Sequence, residues 1–328
     1  MRVHANDERL QWQGAVSVEH TPEGTQPWRV PYEDARLFPE TLIEKAAMPA
    51  GVRLTFRSDT AILRGALTPH EASAPIDLYV DGERAGTAPL AGQEVFHFDG
   101  LPPGEKLIEL WLPQQAVFRL RWLDLSDGAT VHPHQDTRPR WITYGSSITQ
   151  CAAAASPSQT WPAITARARN LHLTCLGYGG QCHLDSMIAR MIRELPATYL
   201  SMCVGINIYG AGSLSPRSFR PAIIGFVQIV REKHPNTPYA VMSPIFSPPR
   251  ETAKNRVDFT LQEMREEVAT AVEILRAHGD QHLHYVNGLD VFGEELAHLL
   301  PDNLHPNAEG YRVMGQNFTQ VVAERYFT

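Results

Sequence analysis

The chain has 328 residues, 43% hydrophobic and 20% charged, with a formal net charge of −7. This composition is that of a soluble globular protein and excludes a disordered or membrane-embedded chain. Its scattered basic residues give no footprint for nucleic acid. The length exceeds one hydrophobic core, so two domains are expected.

The amino terminus, "MRVHANDERLQWQG", lacks the apolar h-region of a secretory signal. No uninterrupted apolar stretch reaches membrane-spanning length, so a cytoplasmic protein without a membrane partner is expected. From about Gly51 to Ser126 apolar residues recur with a period of two: Val52, Leu54 and Phe56, then Ile76, Leu78 and Val80, then Phe118, Leu120 and Trp122. That period belongs to strands. Asp81-Gly82 suits a hairpin turn and "GLPPGEK" a second chain reversal, so the first domain, residues 1–135, is expected to be an antiparallel β-sandwich. The polar, turn-rich stretch "SDGATVHPHQDTRPR" (126–140) reads as the linker.

Beyond it, over residues 136–328, the rhythm changes. Short continuous apolar runs ("WITYG", "LHLTCLGYG", "YLSMCVGI", "YAVMSPIF", "LHYVNGL") suit strands covered on both faces. Between them "DSMIARMIREL", "FRPAIIGFVQIVREKH" and "TLQEMREEVATAVEILRAHG" have helical spacing. Strands alternating with helices imply a parallel sheet with right-handed crossovers, hence a three-layer α/β/α domain.

Ligands of such sheets sit beyond the carboxyl ends of the strands. The first strand is followed by Gly145-Ser146-Ser147, another by Gly177-Tyr178-Gly179-Gly180, a third by Gly205-Ile206-Asn207, and the final helix is preceded by "PDNLHPNAEG" with Asp302 and His305 three apart. A serine hydroxyl needs a base within hydrogen-bond reach and a third group to orient that base. Ser147, His305 and Asp302 are the candidates. The backbone N–H groups of Ser147 and Gly180 and the amide of Asn207 could face a developing oxyanion. Glycine at 180 would allow close backbone approach.

These four blocks, in this order, resemble the SGNH (GDSL-like) hydrolase family of esterases, lipases, thioesterases and carbohydrate deacetylases. The resemblance covers roughly residues 140–328 and implies a flavodoxin-like domain. It makes Ser147 the nucleophile, Gly180 and Asn207 the completion of the oxyanion hole, and Asp302 with His305 the Asp-x-x-His block. Three positions depart from the family pattern: Ser146 stands where Asp is usual, Gly177 where Asn is common, and Ile208 follows Asn207 where Asp is frequent. The sandwich half also looks like the amino-terminal jelly-roll-like domain of some carbohydrate esterases and acyltransferase-like members, on architecture alone.

Each motif has a plainer reading. Gly145-Ser146-Ser147 alone is more often a turn than a nucleophile, and Asp302 alone could cap the helix that starts near Pro306. The combination of blocks outweighs both. Gly177 and Gly179 read as a tight strand-to-helix connection, and Trp161 as a buried aromatic rather than an acyl-pocket wall. His282 with His284, and His132 with His134, lack a third ligand at recognisable spacing. Cys151, Cys175, Cys182 and Cys203 show no paired CxxC spacing and read as buried residues, with a Cys151–Cys182 pairing left open. An α/β-hydrolase elbow and a dinucleotide fingerprint are both missing.

The expectation is therefore a serine esterase acting on small acyl esters, acetyl first, of a carbohydrate or glycoside, with no cofactor and no metal. Its partner would be a small-molecule ester or acetylated carbohydrate; self-association stays open. An acyltransferase of a biosynthetic pathway using the same triad is the first alternative, and a non-catalytic carbohydrate-binding protein the second.

Overall fold

Alternating apolar residues of the first half fold into two antiparallel sheets, and the short apolar runs of the second into a parallel one, in a computed structural model that describes residues 1–69 and 74–328. One compact unit comprises Met1–Thr137 with Ala155–Ser158 and His172–Thr174; the other comprises Arg138–Ala154, Gln159–Leu171 and Cys175–Thr328.

The strands of the first unit are β1 (Arg2–His4), β2 (Gln11–Gln13), β3 (Ser17–Thr21), β4 (Gly24–Trp28), β5 (Arg53–Ser58), β6 (Leu63–Leu67), β7 (Pro75–Val80), β8 (Glu83–Pro89), β9 (Val95–Phe98), β10 (Lys106–Trp111) and β11 (Leu120–Leu125); helix α1 (Glu40–Ala46) precedes β5. One sheet runs β3-β4-β11-β6-β9 with β1 also on β11, and the other β2-β5-β10-β7-β8. Their inner faces meet in one core, where Leu54, Phe56, Leu78 and Ile108 from one sheet pack with Leu63, Phe96, Leu120 and Leu123 from the other. Each such side chain contributes about 1.5–3 kcal/mol on burial. Asp81 and Gly82, at φ 48° and 85°, make the two-residue hairpin turn between β7 and β8. The reversal at "GLPPGEK" carries the chain from β9 in one sheet to β10 in the other.

Two features differ from the pattern read in sequence. The alternation Phe118, Leu120, Trp122 breaks because the β11–β6 register shifts between Leu120 and Trp122. An extra residue at that point reverses the facing of the rest of the strand. Phe118, Leu120, Leu123 and Leu125 therefore fill the core, while the Trp122 ring lies under the Arg2 and Arg121 guanidinium groups at 4.4 and 4.5 Å. The stretch 126–140 does contain the boundary between the units, after Thr137, but it is not a free tether. Arg57 and His132 form an antiparallel bridge, Thr130 N–H donates to Asp59 at 2.8 Å, and Asp136 lies 3.0 Å from His172 and 3.5 Å from Arg53.

The second unit carries β12 (Arg140–Gly145), the Cys175–Gly177 end of β13 (His172–Gly177), β14 (Tyr199–Cys203), β15 (Tyr239–Met242) and β16 (Leu283–Val286). They lie in the order β13-β12-β14-β15-β16, with β12, β14, β15 and β16 paired in parallel register. Its helices are α2 (Ser147–Gln150), α3 (Trp161–Ala168), α4 (Ser186–Glu194), α5 (Ile206–Ala211), α6 (Pro216–Arg231), α7 (Leu261–Ala277), α8 (Gly288–Val291), α9 (Ala308–Phe318) and α10 (Glu324–Tyr326). Trp141 and Tyr144 sit three apart on β12 and so face opposite sides of the sheet. Trp141 packs with Trp161 of α3 and Phe318 of α9, whereas Tyr144 stacks on Phe226 of α6 at 5.2 Å. Helices therefore cover both faces, which is why the strands read as continuous apolar runs. No helix among the described residues is long and apolar enough to cross a membrane.

In the order second-first-third-fourth-fifth the direction of the crossovers reverses at the first strand. The crevice beyond the carboxyl ends of β12 and β14 is where such a sheet binds ligands.

Candidate active site

The two serines after β12 do different work. Ser146 is buried, extended at φ −87° and ψ −160°, and its hydroxyl accepts the Ile148 N–H at 3.2 Å, so it caps α2. This is the local brace that an Asp at 146 would otherwise be expected to give. Ser147 opens α2, and its Oγ lies 2.8 Å from His305 Nε2. His305 Nδ1 is 2.6 Å from Asp302 Oδ2. An ionised carboxylate can only accept, so Nδ1 carries a proton and Nε2 is left to accept the Ser147 hydroxyl proton.

Asp302 is not the cap of the last long helix. That place belongs to Asn307, whose side chain accepts the Gly310 N–H at 2.8 Å. Asp302 Oδ1 instead takes the N–H groups of Leu304 at 3.0 Å and His305 at 2.7 Å. Partial burial works against its charge, but the hydrogen bonds from the His305 side chain and from the His305 and Leu304 N–H groups outweigh it, and the carboxyl is held below its ordinary range. A carboxylate kept ionised beside the imidazole stabilises the imidazolium that forms when His305 takes a proton.

Backbone bonds tie the glycine-rich turn after β13 to this point. Tyr178 N–H donates to the Gly145 carbonyl and Gly179 N–H to Gln150 Oε1, both at 2.8 Å. A Cβ on Gly177 would stand 2.4 Å from Gln150 N and 2.5 Å from Thr149 C, so the end of β13 lies against α2 and no side chain fits. That explains the glycine where Asn is common. Gly180 has a conformational reason to be glycine: its φ is +73°, and because a Cβ there would meet no protein atom within 4 Å, the strain of a side chain would come from the backbone alone.

Asn207 stands in the first turn of α5, after Gly205, at the end of β14. Its Oδ1 accepts the Cys182 N–H at 3.0 Å, which assigns the remaining amide face, Nδ2, as a donor. The structure thus gathers Ser147, His305 and Asp302 in one hydrogen-bonded row and ties the Gly180 and Asn207 turns to the same edge of the sheet. With a hydroxyl, an oriented imidazole and fixed N–H donors, this edge can perform acyl transfer.

Other residues singled out in sequence have structural places. Trp161 is buried, and its Nε1 donates to the Ile148 carbonyl at 3.0 Å, behind α2 rather than in a pocket wall. No disulfide joins Cys151 to Cys182. Burial pushes the Cys203 thiol up to about 12 and the Cys151 and Cys182 thiols well above their ordinary value, so none offers a thiolate nucleophile. His284 stacks on Tyr326 at 4.2 Å. Among the described residues no three His, Cys, Asp or Glu side chains gather as a metal site.

Sequence reasoning missed the residues that hold this edge from behind. His183 Nε2 lies 3.0 Å from the Gly180 carbonyl, and its Nδ1 2.8 Å from Ser213 Oγ. Ser247 Oγ and Arg250 Nη1 both donate to the Asn303 carbonyl, at 2.7 and 3.1 Å. The one sequence signal was position: "SPIFSPPRE" comes directly after β15 and opens at the same sheet edge.

Residues 139–323 match the GDSL-like Lipase/Acylhydrolase family, and residues 10–121 match the family described as SsfX3, N-terminal domain. No curated protein matches the chain in sequence. Among solved structures it is similar to SsfX3, a salicylyl-acyltransferase from a tetracycline biosynthetic pathway, at 38% identity and a TM-score of 0.92, with 99% of this chain and 97% of that one covered. A family two carbohydrate esterase from Cellvibrio japonicus shares the fold at 13% identity and a TM-score of 0.68, covering 100% and 99%. One from Clostridium thermocellum does so at 14% identity and 0.66, covering 96% and 98%.

Proposed function

Because the chain belongs to the GDSL-like lipase/acylhydrolase family, we propose that it is a serine acyltransferase that passes an acyl group from an activated ester to a hydroxyl of a small-molecule acceptor in a biosynthetic pathway. The observation that carries this choice is the 38% identity to a salicylyl-acyltransferase through both domains. Deacetylation of a carbohydrate, expected first from the sequence, has support only at the level of fold.

His305 Nε2 accepts the Ser147 proton as Oγ attacks the acyl carbonyl, while Asp302 steadies the imidazolium. The oxyanion is received by the N–H groups of Ser147 and Gly180 and by Asn207 Nδ2. The tetrahedral intermediate collapses, His305 protonates the leaving group, and the acyl group stays on Ser147. An acceptor hydroxyl then gives its proton to His305 and attacks the acyl-enzyme, and collapse returns Ser147 with its proton. Hydrolysis would be the same second half with water, so the acyl-enzyme must meet its acceptor before water does.

The test is an aryl ester of salicylic acid incubated with and without phenolic and alicyclic alcohols, the products resolved by mass spectrometry. Acceptor-dependent formation of the new ester is expected, and Ser147→Ala should lower it by roughly 10⁴-fold. Release of free acid alone, with every acceptor and with acetylated sugars consumed faster, would return the esterase reading.

A further inference from the structure

Packing holds Asp302 and His305 only in part: their side chains are 52% and 34% exposed. Something else must fix the row, because a misplacement of about 1 Å in a reacting group can cost roughly 100-fold in rate. The turn between them has an unusual point at Asn303, whose φ is +59°. Asn tolerates left-handed backbone better than other residues with a side chain, and here the surroundings also hold it there.

Those surroundings are the segment after β15. The Asn303 carbonyl accepts two hydrogen bonds, from Ser247 Oγ at 2.7 Å and from Arg250 Nη1 at 3.1 Å, and Arg250 Nη1 also donates to Ser247 Oγ at 2.9 Å. The carbonyl belongs to the same planar peptide as the Leu304 N–H, which donates to Asp302 Oδ1. One rigid plane is therefore gripped at its oxygen by Ser247 and Arg250 and bonded at its nitrogen to the carboxylate. Accepting two donors at the carbonyl also polarises the N–H on the other side.

The grip is itself anchored. Ser247 N–H donates to Glu251 Oε1 at 2.9 Å, and Glu251 is held by both arms of Arg265 at 2.6 and 2.8 Å. Arg265, 7% exposed on α7, also donates to the Pro244 and Ile245 carbonyls at 2.8 and 3.1 Å. A buried ion pair contributes little net stability compared with apolar packing, whereas its geometry is specific. Here that geometry sets the path of residues 244–251 against the turn.

We propose that Ser247 and Arg250 are positioning residues for acyl transfer: by gripping the Asn303 carbonyl they orient the Asn303–Leu304 peptide and, through it, the Asp302 carboxylate that steers His305. The Glu251–Arg265 pair is the anchor of this brace. The inference rests on the reading of Ser147, His305 and Asp302 as the acyl-transfer machinery.

The experiment measures the rate of Ser147 labelling by a fluorophosphonate, and kcat and KM for an aryl ester, each normalised to titrated active sites. Ser247→Ala and Arg250→Met should lower the labelling rate and kcat about 10- to 100-fold with KM within about twofold, and Arg250→Lys, which keeps one donor, should recover most of the loss. A raised KM with unchanged kcat would make Arg250 a substrate contact and overturn the proposal. A loss confined to the fraction of titratable sites would reduce the brace to a folding role and overturn it as well. Wild-type protein that resists labelling would remove the acyl-transfer reading and the proposal together, whereas variants that label as fast as a reactive wild type would remove the proposal alone. Should Ser247→Ala fail to fold, the partly exposed Arg250 pair still decides.

Discussion

Ser146 and Ser147 are chemically identical neighbours with different fates because one hydroxyl is spent on the Ile148 N–H and the other faces an imidazole. Burial and hydrogen bonding assign their roles, and residue type alone does not. Gly180 poses the same kind of question, since its left-handed φ costs about 1–2 kcal/mol for any residue with a Cβ although the space beside it is open. Gly180→Ala should therefore fold with only a modest drop in melting temperature, while a rotated N–H lowers Ser147 labelling roughly 100-fold. Labelling at the wild-type rate would take Gly180 out of the oxyanion hole. The candidates Ser147, Asp302 and His305 were legible because each lies in a short motif of fixed spacing. Ser247 and Arg250 were not, because a carbonyl that gathers two donors from 53 and 56 residues away leaves no mark on local sequence.

At the scale of elements, the site depends on how closely β13 approaches α2. The backbone atoms that a Cβ at 177 would strike, Gln150 N and Thr149 C, cannot swing aside as a side-chain tip could. Gly177→Ala should cost about 1–3 kcal/mol in urea unfolding and should also slow Ser147 labelling, since relief requires moving α2. Unchanged stability would show that β13 and α2 can separate freely. The parallel strands and the helices α4, α6 and α7 could be read from their runs and periods. The β11 bulge could not, since Phe118, Leu120 and Trp122 alternate cleanly and only pairing with β6 shows where the register slips.

At the scale of the molecule, the first unit buries a charge on the outer side of its second sheet. Asp77 is fully buried, and its carboxylate accepts the Ser156 and Ser158 hydroxyls at 2.5 and 2.7 Å, the Ser158 N–H at 3.0 Å and the Thr87 hydroxyl. Burial opposes the charge, but these bonds together outweigh it and hold the carboxyl below its ordinary range. A depressed native value contributes stability that is complete above the unfolded carboxyl's ordinary value near 4 and is lost as the pH falls through the native one. Asp77→Asn should thus be less stable by about 1–3 kcal/mol at pH 7, with the gap to wild type narrowing as the pH falls below the ordinary carboxyl value near 4, followed by thermal unfolding. A gap that stays constant over that range would show that the charge of Asp77 is not what holds Ser156 and Ser158.

Hydrophobic period, turn residues and motif order are local properties, so the chain by itself determined an antiparallel sandwich, a parallel α/β half and the residues that could carry acyl chemistry. Which serine is capped, why Gly177 bears no side chain, where β11 slips and what grips the Asn303 carbonyl depend on atoms far apart in the chain meeting within about 3 Å. Only the tertiary structure brings them together, because hydrogen bonds and close packing act through distance in space and are indifferent to distance along the backbone.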